Sequence, residues 1–472
     1  MEKTYLKKSE TLSFATSAFG RSMIYTLMST FALIFYTDMG IKPTHAGAII
    51  FVARIFDALN DPIMGMIVDK THTKNGKMRP YLKWAPIPIA ITTILLFFTP
   101  NIESYALRVA YAAVTYILWG VCFTIQDIPF WGLSSAVTPN EKERTTFVST
   151  ARIGSTIGGI LPTVLVPVLT KSAGLRTGYF LCGCIFGIVG AGISLLAYFG
   201  TKERVETKSE DITVKELFGS IVKNKLLLLV IFASLLGSTM VMAQTASAYI
   251  GQYLIKDPGI IPQGILLTVL TVAIGAGMLP AMVLLPILRK HFSLKQIYIG
   301  SAVMGAIVTT ILWFIGYSNI YIFLIALVFY GIPLGIFNVI TYALVADAVD
   351  YNEYKTGKRT EGVCFAAQTL ISKANAGIST FIVSFMLEKI AFKAPVEEVV
   401  NGEAVTHYFE QSAGTMQGLF AMVTIVPCVG FVLCILPMLF NTYTGKKKEK
   451  VLAELNERRA KAEEETAKVT EE

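Results

Sequence analysis

Two carboxylates interrupt an otherwise apolar stretch, FVARIFDALNDPIMG, at Asp57 and Asp61. Their four-residue spacing puts them on one face of a helix, with Arg54 and Asn60 each three residues from Asp57. Two carboxylates beside an amide oxygen suit a hard cation such as sodium. They equally suit a shared proton, because like charges in proximity raise one pKa. A third use is structural, with Arg54 neutralising the pair. Pro62 follows directly and withholds a backbone N–H, which frees a carbonyl for other bonds.

A second constellation lies in TIQDIPFWGL, where Thr124, Asp127 and Trp131 fall at i, i+3 and i+7 of one helix face. An acid beside an indole suits a sugar: the carboxylate accepts from hydroxyls and the ring covers the apolar sugar face. For Trp131 alone, a place in the aromatic belt at the membrane surface is the simpler alternative. Three cations also fall within apolar stretches, Arg21, Arg152 and Lys373, the last preceded by Gln368 and Thr369. Arg152 is one candidate counter-ion to Asp127, and each cation alone reads more as a charge partner than as a ligand contact.

These residues need explaining because of the elements that carry them. The apolar residues fall in about twelve runs, each near the ~20 residues that cross a bilayer as a helix. The runs cover 12–37, 45–68, 81–99, 105–136, 146–171, 176–200, 226–254, 261–288, 296–315, 319–348, 361–389 and 412–440. A charge at the centre of such a helix costs at least ~2.5 kcal/mol, so it marks a functional site by default. The expected fold is all-α and polytopic, with two six-helix halves at 1–200 and 226–440. A polar linker at 201–225 joins them, and a charged tail follows at 441–472. The Gly-rich stretches GSTIGG, GCIFG and GIPLG read as close helix packing, not as phosphate loops.

Composition agrees. Hydrophobic residues make up 53% and charged residues 16%, against roughly 25% charged in soluble domains. The net charge of +8 reflects short basic loops, not nucleic-acid binding. Lys70, Lys74, Lys77 and Arg79 follow the second run, Arg289, Lys290 and Lys295 the eighth, and Lys355, Lys358 and Arg359 the tenth. By the positive-inside rule these loops and both termini are cytoplasmic. The opposite side carries one long acidic loop, KAPVEEVVNGEAVTHYFEQ. In the tail, Lys446 to Lys448 have two possible uses, contact with anionic headgroups or simple solvation on a fraying helix. The six cysteines and four histidines show no metal or disulfide spacing. No nucleophile–base arrangement stands out, so no enzyme is expected.

RIFDALNDPIMG, DKTHTKNGKMRP, DIPFWGL and ADAVDYNEYKTGKRTEG with AAQTLISK resemble the glycoside–pentoside–hexuronide:cation symporters of the melibiose permease type, a branch of the major facilitator superfamily. The resemblance spans both halves. It implies that Asp57, Asn60, Asp61 and Thr124 hold the coupling cation, sodium in this family and sometimes lithium or a proton. It implies that Arg21, Asp127, Trp131, Arg152, Gln368, Thr369 and Lys373 line the sugar pocket or join it to the cation site. Two positions depart from the pattern. Ser22 stands where an acid follows the basic residue of the first helix, and Asn338 aligns with a tryptophan of the tenth. Both losses point to a less negative pocket, fit for an acidic sugar such as a hexuronide.

The expected function is therefore cation-coupled sugar symport by alternating access across the cell (inner) membrane. Its partners are a small sugar, a monovalent cation and the bilayer, with no cofactor and no obligate protein partner. Lysolipid or drug transport on the same fold is the nearest alternative, and the intramembrane charges disfavour it. A membrane sugar sensor without net transport is the alternative from another class.

Overall fold

The computed structural model describes residues 5–138, 140–204, 222–255, 261–262, 265–357, 361–400, 403–445 and 447–458. Most of the expected linker (205–221), Lys358, Arg359, Lys446 and the end of the tail (459–472) lie outside the described residues.

Helices occupy each of the twelve apolar runs. In the first half they are α1 (Lys8–Asp38), α2 (Pro43–Asp69), α3 (Arg79–Trp84), α4 (Pro86–Phe97), α5 (Tyr105–Ala136), α6 (Glu141–Ala173), α7 (Leu175–Ser194) and α8 (Leu196–Gly200). The second half opens with α9 (Lys225–Leu236) and a run of short turns over Ser238–Leu254, bent 45° from α9 at Gly237. Then follow α10 (Leu266–Leu288), α11 (Leu294–Ile315), α12 (Ile320–Thr356), α13 (Glu361–Lys389) and α14, a broken span over Ala413–Leu439. Among the described residues nine spans are long and apolar enough to cross a membrane unaided, and the bent pair makes ten. The fold is all-α and polytopic, as expected.

Four local expectations are corrected. The run at 81–99 is two helices, because Pro86 opens a new one after Ala85. The tenth helix does not stop at 348 but continues through DYNEYKT to Thr356, where Gly357 at φ 70 ends it. The long acidic loop holds an antiparallel hairpin, β1 (Val396–Val400) with β2 (Glu403–His407), in register from Val396 opposite His407 to Val400 opposite Glu403. Within the described part of the tail, residues 447–458 are helical, and the Lys448 ammonium is turned to Asp347, 2.6 Å from both its oxygens.

The chain packs as two compact units. One comprises Met1–Asp211, Gln244–Thr271 and Gly377–Phe420; the other comprises Ile212–Ala243, Val272–Ala376 and Ala421–Glu472. These units cut across the sequence halves, because parts of the second half pack on the first at the end opposite the basic loops. There the Thr37 and Tyr249 hydroxyls lie 3.0 Å apart, as do those of Thr163 and Thr268. The Thr44 hydroxyl donates to Glu388, and the Arg176 amide donates to Glu397 on β1 at 2.9 Å.

In the first unit α1 and α6 are in backbone contact. A Cβ on Gly154 would lie 2.2 Å from the Ala15 carbonyl oxygen, and one on Gly158 2.2 Å from that of Phe19. Only glycine permits that approach, and the GSTIGG stretch supplies it. Below this contact Phe14 stacks between Phe130 of α5 and Phe147 of α6, at 4.2 and 4.1 Å between centroids. Such pairs contribute about 0.5–1.5 kcal/mol each beyond the area they bury. At the basic-loop end the amides of Lys77, Met78 and Arg79 all donate to the Glu203 carboxylate.

In the second unit α12 lies against α10 in the same way, with a Cβ on Gly331 only 2.0 Å from the Ile274 carbonyl. Asn224 caps α9 through the Leu227 amide and also donates to the Ala348 carbonyl of α12. Lys295 caps the end of α14 through the Leu439 and Asn441 carbonyls.

Candidate functional site

Helix α5 organises the site. Gly120, Thr124, Asp127 and Trp131 are spaced four, three and four residues apart, which makes a single stripe along one face. Each member meets a different charged residue on a neighbouring helix.

At the upper end of the stripe α2 brings its acids. Asp57 is 5% exposed and Arg54 7%, so both are withdrawn from bulk solvent. A Cβ on Gly120 would lie 2.3 Å from the Asp57 Oδ1, so the missing side chain makes room for that carboxylate. The Arg54 charge acts on Asp57, and its guanidinium lies 5.8 Å from the centre of the Tyr25 ring. The Thr124 hydroxyl donates to Asp61 Oδ1 at 3.3 Å. Asn60 sits half-buried one residue before Asp61. The structure thus unites Thr124 with Asp61 and gives Asp57 a nearby guanidinium. Among the described residues no three His, Cys, Asp or Glu side chains cluster as a polyvalent metal site.

Lower on the stripe stand the candidate sugar residues. Arg21, 4% exposed, forms an ion pair with Asp127 and stacks on Phe130, with 4.1 Å from its Cζ to the ring centre. Arg152, a candidate counter-ion to Asp127, lies over Trp131 instead, its Cζ 4.1 Å from the ring centre, close enough for its charge to act on Arg21. Gly154 and Gly158 seat α6, which carries Arg152, directly on α1, which carries Arg21. The group holds two cations and one anion, flanked by an indole that Phe130 supports edge-on at 5.2 Å. Trp131 is therefore part of a charged cluster, not an isolated belt residue. Ser22 is half-buried beside Arg21 and adds no charge.

Gln368, Thr369 and Lys373 fall on α13 within the second unit. Gln368 is 4% exposed, and its Oε1 has no hydrogen-bond partner among the described residues. Thr369 is exposed and Lys373 half-buried. Asn338 is exposed on α12, its amide donating to the Leu334 carbonyl at 3.1 Å.

Buried acids escaped sequence reasoning, among them Glu10, 6% exposed and paired with Arg204. Asp38, 7% exposed, accepts from the Tyr179 hydroxyl at 3.0 Å. Its signal was the helix-terminal acid of FALIFYTD, passed over because it lies at the edge of the apolar run.

Known proteins carry the same architecture. The chain is 28% identical to the isoprimeverose transporter of Lactiplantibacillus pentosus, covering 98% of this chain and 94% of that one. It is 28% identical to a putative sulfoquinovose importer of Escherichia coli, covering 98% and 97%. It is 24% identical to the glucuronide carrier protein homolog of Escherichia coli, covering 92% of each. Among solved structures, the nucleoside transporter NupG matches with a TM-score of 0.63 at 14% identity, over 92% of this chain and all of that one. A family model described as MFS/sugar transport protein matches residues 13–445, and the chain belongs to that family: it is a multi-pass membrane transporter of sugars, of the major facilitator type.

Proposed function

We propose that this transporter couples a monovalent cation, sodium in the first instance, to entry of an anionic sugar of the hexuronide or sulfonated-sugar class. The observation that carries the reading is the charge balance beside Trp131. Asp127 neutralises Arg21, and Arg152 remains as a cation laid across the indole. A guanidinium presents paired N–H donors that match a carboxylate or sulfonate, while the indole face receives the sugar ring. The names of the glucuronide carrier homolog and the sulfoquinovose importer point the same way; that of the isoprimeverose transporter points to a neutral disaccharide.

In this proposal Asp57, Asn60, Asp61 and Thr124 hold the cation, with Arg54 as the partner of Asp57 when the site is empty. Arg21, Asp127, Trp131 and Arg152 receive the sugar, and the family resemblance adds Gln368, Thr369 and Lys373 to the residues that would contact it. The α5 stripe supplies the link. Thr124, which bonds Asp61, and Asp127, which bonds Arg21, lie one turn apart on the same helix. A cation that pulls on Asp61 therefore shifts the turn that orders the sugar residues. By linkage, sugar must raise cation affinity by the same factor. Transport would follow by alternating access of the two six-helix halves. The basic loops orient both termini to the cytoplasm of the inner membrane.

The test is uptake and counterflow in proteoliposomes with methyl β-D-glucuronide, sulfoquinovose and isoprimeverose, each with sodium, with lithium and across pH. Sodium-stimulated uptake of either anionic sugar, with isoprimeverose poorly taken, is the expected result. Preference for isoprimeverose would overturn the anionic-sugar reading, and indifference to every cation gradient would overturn coupling.

A further inference from the structure

A cavity lies within the first unit, and none of its lining residues belongs to the α5 stripe. Its volume is about 490 Å³, and its walls come from α1, α6, the turns at 248–253 and the segment after the hairpin. It meets α1 at Phe31 and Ile34, which at 1.5 Å per residue is about 15–20 Å along the helix from Arg21. Between them the α1 side chains Ile24, Leu27 and Met28 are buried to within 1% of completely. Tyr25 and Ser29 of the same stretch are exposed, so the cavity is set apart from Arg21 by distance, about three helical turns along α1, and it lies toward the end opposite the basic loops.

Its lining is that of a built site. Tyr179, Tyr253 and Tyr408 supply ring faces, Gln252 and Lys171 supply donors, and Glu410 supplies a carboxylate. Gln252 lies beside the Tyr408 hydroxyl, which brings two walls together. Tyr253 is only 7% exposed, and its hydroxyl has no hydrogen-bond partner among the described residues. A buried hydroxyl without a partner is rare and costly, and here it belongs to a wall of the cavity. Phe392 packs edge-on against the Tyr253 ring at 4.9 Å and fixes it there. The volume lies within the 300–1,000 Å³ typical of small-molecule sites.

We infer that this cavity is an outer sugar subsite, which holds a hydroxylated ring between Tyr253 and Tyr408 before it reaches Arg21 and Asp127. The inference rests on the reading of the chain as a sugar importer open at this end in part of its cycle. Hydroxyls of the ring would accept from and donate to Tyr253 and Gln252, and its apolar face would lie on tyrosine rings.

The experiment uses the full-length protein in right-side-out vesicles without any ion gradient. Gln252→Cys and, separately, Lys171→Cys are labelled with a membrane-impermeant maleimide, with the unmodified chain as background. Methyl β-D-glucuronide, sulfoquinovose and isoprimeverose are the probes. At least one sugar is expected to slow labelling several-fold at both positions, and to do so equally when Asp127→Asn is added. In uptake, Tyr253→Phe is expected to raise the half-saturating concentration about 3- to 10-fold with little change in maximal rate, as loss of one neutral hydrogen bond implies. Protection that disappears with Asp127→Asn would mean a single inner site and would overturn the inference. So would a sugar that is transported yet protects neither cysteine. If none of the three is taken up but protection persists, the subsite stands and the proposed coupling fails.

Discussion

A methyl group on Gly120 would lie 2.3 Å from the Oδ1 of Asp57. The helix that bonds Asp61 through Thr124 therefore also sets the space available to Asp57. Gly120→Ala is expected to turn the Asp57 carboxylate away while the helices keep their packing, since the atom in the way is the end of a side chain. Sodium stimulation of uptake should fall at least several-fold, with sodium-independent counterflow largely kept. Unchanged sodium activation in that variant would detach Asp57 from the cation site.

Asp61→Ala removes the acceptor of the Thr124 hydroxyl. Sodium-stimulated uptake is expected to vanish, and Thr124→Ala to weaken it by the smaller amount of one hydrogen bond, about 0.5–1.5 kcal/mol or roughly 2- to 10-fold. Cation activation curves on the purified variants decide this. Full stimulation in Asp61→Ala would remove the residue from coupling.

Arg152→Gln removes the charge near Trp131 and leaves a shorter, neutral side chain that still hydrogen-bonds. Anionic sugars should lose about 1.5–3 kcal/mol of binding, roughly 10- to 100-fold, as for other hydrogen bonds to charged groups. A neutral sugar should change far less, because stacking of an exposed guanidinium on an indole supplies only about 0.5–1 kcal/mol. Equal losses for both kinds of sugar would show that Arg152 acts through packing alone.

Outside the membrane span, Glu143 ties the start of α6 to the N-terminal segment. Burial opposes its ionisation, but the Thr138 hydroxyl, the Tyr5 and Leu6 amides and the Arg204 charge outweigh that and hold its carboxyl below the usual range. A depressed folded-state pKa means stability that is present above the unfolded value and lost as pH falls through the folded one. Glu143→Gln is therefore expected to lower the thermal midpoint at pH 7, with the gap to the unmodified protein closing below about pH 4. A gap that stays constant with pH would point to shape, not charge.

The Lys448–Asp347 pair offers a double-mutant cycle. Its side chains are 22% and 12% exposed, so solvent screens it in part. Lys448→Met alone should cost about 1–3 kcal/mol, less than the 3–5 of a fully buried pair, by leaving Asp347 uncompensated. Adding Asp347→Asn should recover most of the loss. Thermal unfolding of the three variants checks this, and purely additive losses would contradict it.

How much of this was legible beforehand differs from residue to residue. Thr124, Asp127 and Trp131 could be read as one face because helical spacing is a property of sequence alone. Gly120 belongs to the same face and was invisible, because a glycine matters only through what approaches it. The pairing of Asp127 was not legible for a related reason. Which of two arginines reaches an acid is fixed by the packing of α1, α5 and α6 in three dimensions, which spacing along one helix does not show. The hairpin was legible and missed: Val396 to Val400, an Asn-Gly pair, and Glu403 to His407 spell strand, turn and strand. A long charged loop drew attention to its charge in place of its alternation. The tail helix was foreseen as a helix, but its docking was not, because Asp347 lies 101 residues away along the chain.

The seat of the Lys77–Arg79 loop bears on how the protein is made. Its three amides all donate to Glu203, a residue synthesised more than a hundred positions later. At ribosomal speeds of about 5–20 residues per second the loop waits on the order of ten seconds for its carboxylate. During that interval α1 and α2 can enter the bilayer, but the turn between α2 and α3, held by its own Thr73–Gly76 bonds, lacks the acceptor of three amides. The first half therefore locks late and as a whole, when the end of α8 emerges, and a stalled or truncated chain ending before Glu203 leaves that turn exposed to quality-control proteases.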